Sequence, residues 1–304
     1  MTDAAIELAD LGKRFGAHPA VEGVTLRIPR GSCYGLIGPN GAGKTTTFSL
    51  MCGFLAPSSG RISVLGVSPS QPGVLKGRVG VLPQDALLPQ WERVGPLLTH
   101  WATLSAVPAP EAAARECLRR VGMESSWETR CHALSHGMAR RVGIAQALLG
   151  APPVILLDEP TAGLDPRVAG ELRGLIRSLK GQHTLVISSH NLQELEELCD
   201  AAAILDKGRL VRTGTMAELT ARAEQFTVVL AGEAAPPLEA LRALPGCAAC
   251  TLEPGGRLVV QLAEGPAMPE QCIAEVLRAL LAVGCLVSEL HRGKRLEQRL
   301  LELT

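Results

Sequence analysis

Apolar and polar residues alternate in two early stretches, "AIELADL" and "VTLRIP", within residues 4–28. A period of two marks strands with one buried face, so a small antiparallel sheet is predicted there. A second pattern follows, of short, mostly apolar runs without that alternation, near 33–37, 79–82, 154–158, 184–188 and 202–205. Strands covered on both faces read this way, and they predict a mainly parallel core sheet. "KTTTFSLMCG" (44–53) predicts a helix ended by Gly53. "EAAARECLRRVG" and "LSHGMARRVGIAQALL" carry helical spacing and predict a helical subdomain over about 86–150.

The pattern changes after about residue 222. "QFTVVLAG" reads as a strand, and "PPLEALRAL" as a helix opened by prolines. "AACTLE" and "GRLVVQL" are strands joined by "PGG", a hairpin signal. "MPEQCIAEVLRALLAVG" is an amphipathic helix ended by Gly284, and "CLVSELH" is a further strand. The order β-α-β-β-α-β predicts a small α+β domain of ferredoxin-like type. "KRLEQRLLELT" predicts a short closing helix. The chain is thus divided into an α/β domain over 1–221 and an accessory domain over 222–304.

Composition narrows the function classes. Hydrophobic residues make up 46% of the 304 and charged residues 20%, enough apolar content for large cores. Lysine plus arginine total 30 and so do aspartate plus glutamate, which argues against a broad nucleic-acid surface. No run of about 18 or more apolar residues is free of charges and breakers; the nearest, around "AQALLGAPPVILLDEP", is cut by Gly150, Pro152 and Pro153, so a membrane-spanning helix is not expected. The start of the chain lacks the basic-then-apolar order of a secretory signal, and a cytoplasmic location is expected. Nine scattered cysteines then read as small buried thiols. Cys247 and Cys250 form a CxxC, with Cys272 and Cys285 as further candidates, but zinc-knuckle spacing is lacking.

Candidate chemistry begins with "GPNGAGKTT" (38–46), set between the predicted strand "SCYGLIG" and the helix from Lys44. Gly38, Pro39, Asn40, Gly41, Ala42, Gly43, Lys44, Thr45 and Thr46 form a phosphate cradle. Its glycines let backbone N–H groups turn inward, and the helix N-terminus adds partial positive charge. Lys44 reaches the outer phosphates and the Thr45 hydroxyl is placed for Mg²⁺. Asp158 ends the apolar run "VILLD", at the carboxyl end of a predicted parallel strand where ligands bind. It is expected to hold Mg²⁺. Glu159 follows and points away by strand alternation, which makes it the candidate general base for an attacking water. Guanine-reading N-K-x-D is missing from the chain.

Together with five further stretches, these motifs resemble the ATP-binding cassette (ABC) ATPases, over residues 4 to about 220. The resemblance implies a phosphate-loop NTPase cassette with a RecA-like parallel core, an antiparallel β subdomain and a helical subdomain. Phe15, in "LGKRFG", matches the aromatic residue that stacks on adenine. Gln84, in "VLPQD", matches the glutamine that senses Mg²⁺ and the attacking water. His190, in "VISSHNLQE", matches the switch histidine near the γ-phosphate, and "AGLD" (162–165) the loop after the catalytic glutamate. "LSHGM" occupies the signature position but departs from the common LSGGQ. Ser135 and Gly137 are kept, while His136 replaces glycine and Met138 replaces glutamine. His136 reads either as a tolerated change or as an added pH-dependent donor to the γ-phosphate. Gln146 stands where the family often has arginine, a change with no physical account.

The resemblance also implies partners. In the family the signature faces the nucleotide of a second subunit, so Ser135, His136 and Gly137 imply a homodimer with ATP at its interface. It implies an ATPase that drives transport, with export favoured, through a separate integral membrane chain. The expected location is the cytoplasmic face of the cell membrane. A surface beside the Gln84 segment would receive the membrane subunit, and Trp91 reads there as an exposed anchor or as subdomain core. The alternative is a soluble regulatory ABC ATPase without a transport role.

Overall fold

The computed structural model describes residues 3–71, 73–190, 192–220, 225–232, 234–262 and 269–292. The chain divides into two compact units, Met1–Thr215 and Met216–Thr304.

In the first unit, the alternating stretches form β1 (Ala4–Phe15) and β2 (His18–Pro29), joined by β4 (Ser59–Val64). They make an antiparallel sheet in the order β2-β1-β4. Register puts Leu8 opposite Leu26 on one side and Ile62 on the other, so one face is apolar and buried. The mostly apolar runs form β3 (Cys33–Ile37), β5 (Val79–Leu82), β6 (Val154–Asp158), β7 (Thr184–Ser189) and β8 (Ala201–Asp206). Their order is β5-β6-β7-β3-β8, all parallel, and β9 (Arg209–Thr215) closes the edge antiparallel to β8. Every residue of β3 and β6 is buried, as strands covered on both faces require. Phe48, Leu50 and Met51 of α1 (Lys44–Met51) share one core with Leu8 and Leu26 of the first sheet and Leu36 and Leu156 of the second.

The helical subdomain contains α2 (Val94–Leu104), α3 (Pro110–Arg120) and α4 (His136–Ala147). Ser135 caps α4, its Oγ accepting from the Met138 N–H at 3.3 Å. Helix α5 (Pro166–Ser178) starts at the end of "AGLD", with Asp165 Oδ1 accepting from the Val168 N–H at 3.1 Å. Helix α6 (Leu192–Leu198) follows β7, and α7 (Met216–Thr220) begins the second unit.

The second unit contains β10 (Gln225–Ala231), α8 (Leu238–Arg242), β11 (Cys247–Glu253), β12 (Arg257–Leu262), α9 (Pro269–Ala282) and β13 (Leu286–Arg292). Its strands form an antiparallel sheet in the order β11-β12-β10-β13. Phe226, Val228, Leu258 and Val260 of the sheet pack with Val276 and Leu280 of α9 in a separate core. Cys250, Cys272 and Cys285 lie in that core as free thiols, and burial pushes the Cys250 thiol up to about 11. The predicted closing helix, 294–304, lies outside the described residues.

Candidate active site

The site is built where β3 and β6 end. The chain leaves β3 at Ile37, turns through the 38–43 loop and enters α1 at Lys44. Gly43 sits at φ 95°, and a Cβ there would stand 2.6 Å from the Ala20 carbonyl oxygen. Glycine is therefore needed twice over, for the left-handed backbone and for the close approach. Lys44 folds back over the loop, its Nζ donating to Gly38 O at 2.8 Å and Pro39 O at 3.2 Å. Burial lowers its pKa from the usual lysine value, opposed by the charges of Glu159 and Asp158.

Asp158 is the last residue of β6 and is buried. Burial raises its pKa above the usual carboxylate value, while hydrogen bonds from Ser188 and Thr45 and the charge of Lys44 pull it down. The Thr45 hydroxyl and the Asp158 carboxylate thus adjoin, two oxygen donors of the kind a hard divalent cation takes. Glu159 lies beyond the strand end, at φ 50°. Its direction is set by this left-handed turn rather than by strand alternation. Its N–H donates to Ser188 O at 3.1 Å and Ser188 Oγ at 3.0 Å. The side chain is 6% exposed, and His190 Nδ1 donates to its Oε2 at 2.6 Å. The His190 side chain is itself 61% exposed, so the pair joins a buried carboxylate to a solvent-facing imidazole.

Phe15, Asn40, Lys44, Thr45, Gln84 and Glu159 line one cleft of about 530 Å³, with Gly41, Gly43 and Thr46. That volume lies within the range of small-molecule sites. Gly38, Pro39 and Ala42 shape the loop behind it, and Asp158 lines an adjoining hollow with Thr45 and Gln84. Phe15 is 50% exposed on the rim, with Lys13 Nζ 5.4 Å from its ring centroid. The signature residues are not brought to this cleft. His136 instead lines a second groove with Gln84 and Gly163, and its ring comes within 3.3 Å of where a Gly163 Cβ would stand. Trp91 is 77% exposed, so it is not subdomain core, and Leu87 nearby is 89% exposed.

Three participants escaped the sequence reading. Ser188 donates to Asp158 while accepting from Glu159, and nothing marks a serine in a buried run for that task. His18 lines the cleft from β2. Arg140 is buried and donates to the Pro83 and Gln84 carbonyls. Among the described residues no helix is long and apolar enough to cross a membrane.

A phosphate loop between a parallel strand and a helix, with two acids at the end of a strand in the same sheet, is the site of a nucleotide hydrolase. The family described as ABC transporter matches residues 21–162. Nod factor export ATP-binding protein I of Burkholderia lata is 38% identical over 219 residues, covering 70% of this chain and 72% of that protein. Its counterpart from Ralstonia nicotianae is 33% identical over 307 residues, covering 98% and 93%, and so extends through the second unit. Linearmycin resistance ATP-binding protein LnrL of Bacillus subtilis is 31% identical over 228 residues, covering 74% and 73%. Among solved structures, cbiO1 from Clostridium perfringens, part of the ABC transporter complex cbiONQ, aligns at a TM-score of 0.63 with 29% identity, covering 72% of this chain and 92% of that one. The chain belongs to the ABC transporter ATP-binding proteins and is an ATPase subunit of the exporter type.

Proposed function

We propose that the chain hydrolyses ATP by water attack on the γ-phosphate and that two copies close around ATP to drive export through a separate membrane chain. The Glu159–His190 pair beside Lys44 carries this reading. Glu159 is the general base that takes the water proton, and His190 holds both the carboxylate and the γ-phosphate in line. Lys44 exchanges its bonds to the loop carbonyls for bonds to the outer phosphates and stabilises charge there. Phe15 stacks on adenine. Thr45, Asp158 and Gln84 would hold Mg²⁺, and the adjoining Thr45 and Asp158 oxygens fit it. Held there, the ion would supply positive charge to offset that of the phosphates.

Ser135, His136 and Gly137 lie away from their own cleft, at the N-terminus of α4, and in this reading they meet the ATP of the partner copy. Ser135 Oγ accepts from Met138, which leaves the hydroxyl proton for a phosphate. ATP then links two chains, and ADP releases them. Exposed Trp91 and Leu87 suit the docking of a membrane subunit. In this reading the chain works at the cytoplasmic face of the membrane, held there by its membrane partner. Residues 1–221 form the nucleotide-binding domain and 222–304 an accessory domain of ferredoxin-like type, supported by the strand order β11-β12-β10-β13; the compact units part somewhat earlier, after Thr215.

Light scattering on Glu159→Gln with ATP·Mg²⁺ and with ADP·Mg²⁺ tests the closure. A doubling of mass with ATP alone is expected. A monomer in both, persisting when the membrane chain is supplied, overturns the dimer.

A further inference from the structure

Two consecutive arginines on α4 are fixed in different directions. Arg141 donates to Val121 O at 3.0 Å and to Glu171 of α5 at 2.6 Å, which fastens the helix to its subdomain and to α5. Arg140 turns instead to the segment that carries Gln84. One of its terminal nitrogens donates to Pro83 O at 3.2 Å and the other to Gln84 O at 2.7 Å. It is 7% exposed, and its Nε is buried with no hydrogen-bond partner.

This placement is costly for packing alone. A guanidinium keeps its charge in any protein environment, and a buried charge needs compensation. Burial lowers the Arg140 pKa, opposed by the charges of Asp85, Asp158 and Glu159. The hydrogen bonds of Arg140 go to two main-chain carbonyls. An aliphatic side chain would fill the space without desolvating a cation. What the arginine adds is a two-pronged grip on the backbone at Gln84.

The same helix reaches the other active-site loop at its first turn. The His136 ring lies against Gly163, and a Cβ on Gly137 would stand 2.6 Å from Val168 Cγ1. Arg140 lies five residues after Ser135, about 7.5 Å along the helix at 1.5 Å per residue. A shift of the α4 N-terminus is therefore felt at Gln84 through one rigid turn and one side chain.

We propose that Arg140 is a positioning residue that couples the two ATP sites of the dimer. When Ser135 and Gly137 engage the phosphate of the partner copy, α4 moves, and Arg140 carries Gln84 with it in its own cleft. The inference rests on the closed-dimer reading above. Coupling of this kind is reciprocal, so it appears as cooperativity in ATP.

The test compares the full-length wild type with Arg140→Met and Arg140→Lys. Met keeps the length and apolar stem without donors, and Lys keeps the charge and reaches one carbonyl at a time. Hydrolysis is followed against MgATP concentration, single-site affinity with a fluorescent ATP analogue at low protein concentration, and melting temperature alongside. Wild type is expected to show a Hill coefficient approaching two, the number of sites. Arg140→Met should fall to about one with kcat reduced at least tenfold, single-site affinity unchanged within about twofold, and Lys in between. A folded Arg140→Met with wild-type cooperativity overturns the proposal. So does parallel loss of affinity, melting temperature and rate without rescue by Lys. If Met does not fold, a Lys variant with wild-type cooperativity overturns it. A wild type that dimerises with ATP yet hydrolyses it without cooperativity overturns the coupling alone. A wild type that never dimerises removes the closed-dimer reading, and the coupling with it.

Discussion

Replacing Glu159 with glutamine isolates the chemistry from the fold. Gln has the same heavy-atom count and retains one oxygen to accept from His190 Nδ1, now at 2.6 Å from Oε2. The backbone grip of Ser188 on the 159 N–H does not involve the side chain. What disappears is the negative charge and the basic lone pair. A positioned base contributes about 10²–10⁴-fold, and at about 1.4 kcal/mol per decade this is roughly 3–5.5 kcal/mol. The structure points to the upper half of that range. The neighbouring carboxylate, Asp158, is buried and engaged by Ser188 and Thr45, so it is not free to substitute. The expected loss is therefore about 10³–10⁴-fold in kcat. ATP affinity should hold or tighten, because a carboxylate facing the phosphates has been neutralised. Single-turnover hydrolysis of γ-labelled ATP at saturating MgATP measures the chemical step, and a fluorescent analogue measures binding. Glu159→Asp offers a second reading: it withdraws the carboxylate by about 1.5 Å, a misplacement worth about 10²-fold. If Glu159→Gln turns over within about threefold of wild type, Glu159 is not the base and the role passes to another group.

Three further expectations address binding and architecture. Phe15→Ala should weaken ATP about fivefold or more, since base–aromatic stacking is worth about 1–3 kcal/mol and this ring is half exposed; GTP should weaken in step, as a ring face does not read the base. Gly43→Ala, forced to φ 95° and against Ala20 O, should cost about 1–3 kcal/mol in thermal or urea unfolding and abolish nucleotide binding in titration calorimetry. Phe226→Ala should cost the second unit about 3–5 kcal/mol, so limited proteolysis removes it while the first unit, with its own core, still binds ATP.

The nucleotide loop was legible because its function is written in contiguous residues. Gly43, Lys44 and Thr45 need one another at fixed spacing, and the strand and helix around them carry plain hydrophobic signals. Asp158 was legible for the same reason, as the end of an apolar run. Phe15, Gln84 and His190 were visible only through resemblance, because each is separated in sequence from the loop it joins. The rest depended on partners that leave no mark in sequence. Arg140 bonds to main-chain carbonyls, which every residue possesses. The left-handed turn at Glu159 contradicts local preference and is imposed by Ser188 from a neighbouring strand. Trp91 could not be assigned from its surroundings in sequence, because apolar residues such as Leu87 beside it are also exposed.

That left-handed turn has a consequence for how the protein can change. A side chain other than glycine at φ 50° costs roughly 1–2 kcal/mol relative to ordinary backbone. Glycine or asparagine at position 159 would relieve much of that cost and discard the carboxylate. Selection for thermal resistance alone should therefore enrich silent variants at this site. The carboxylate persists only where turnover is selected together with durability, and a library screened for both would reveal how far the two demands oppose each other at one residue.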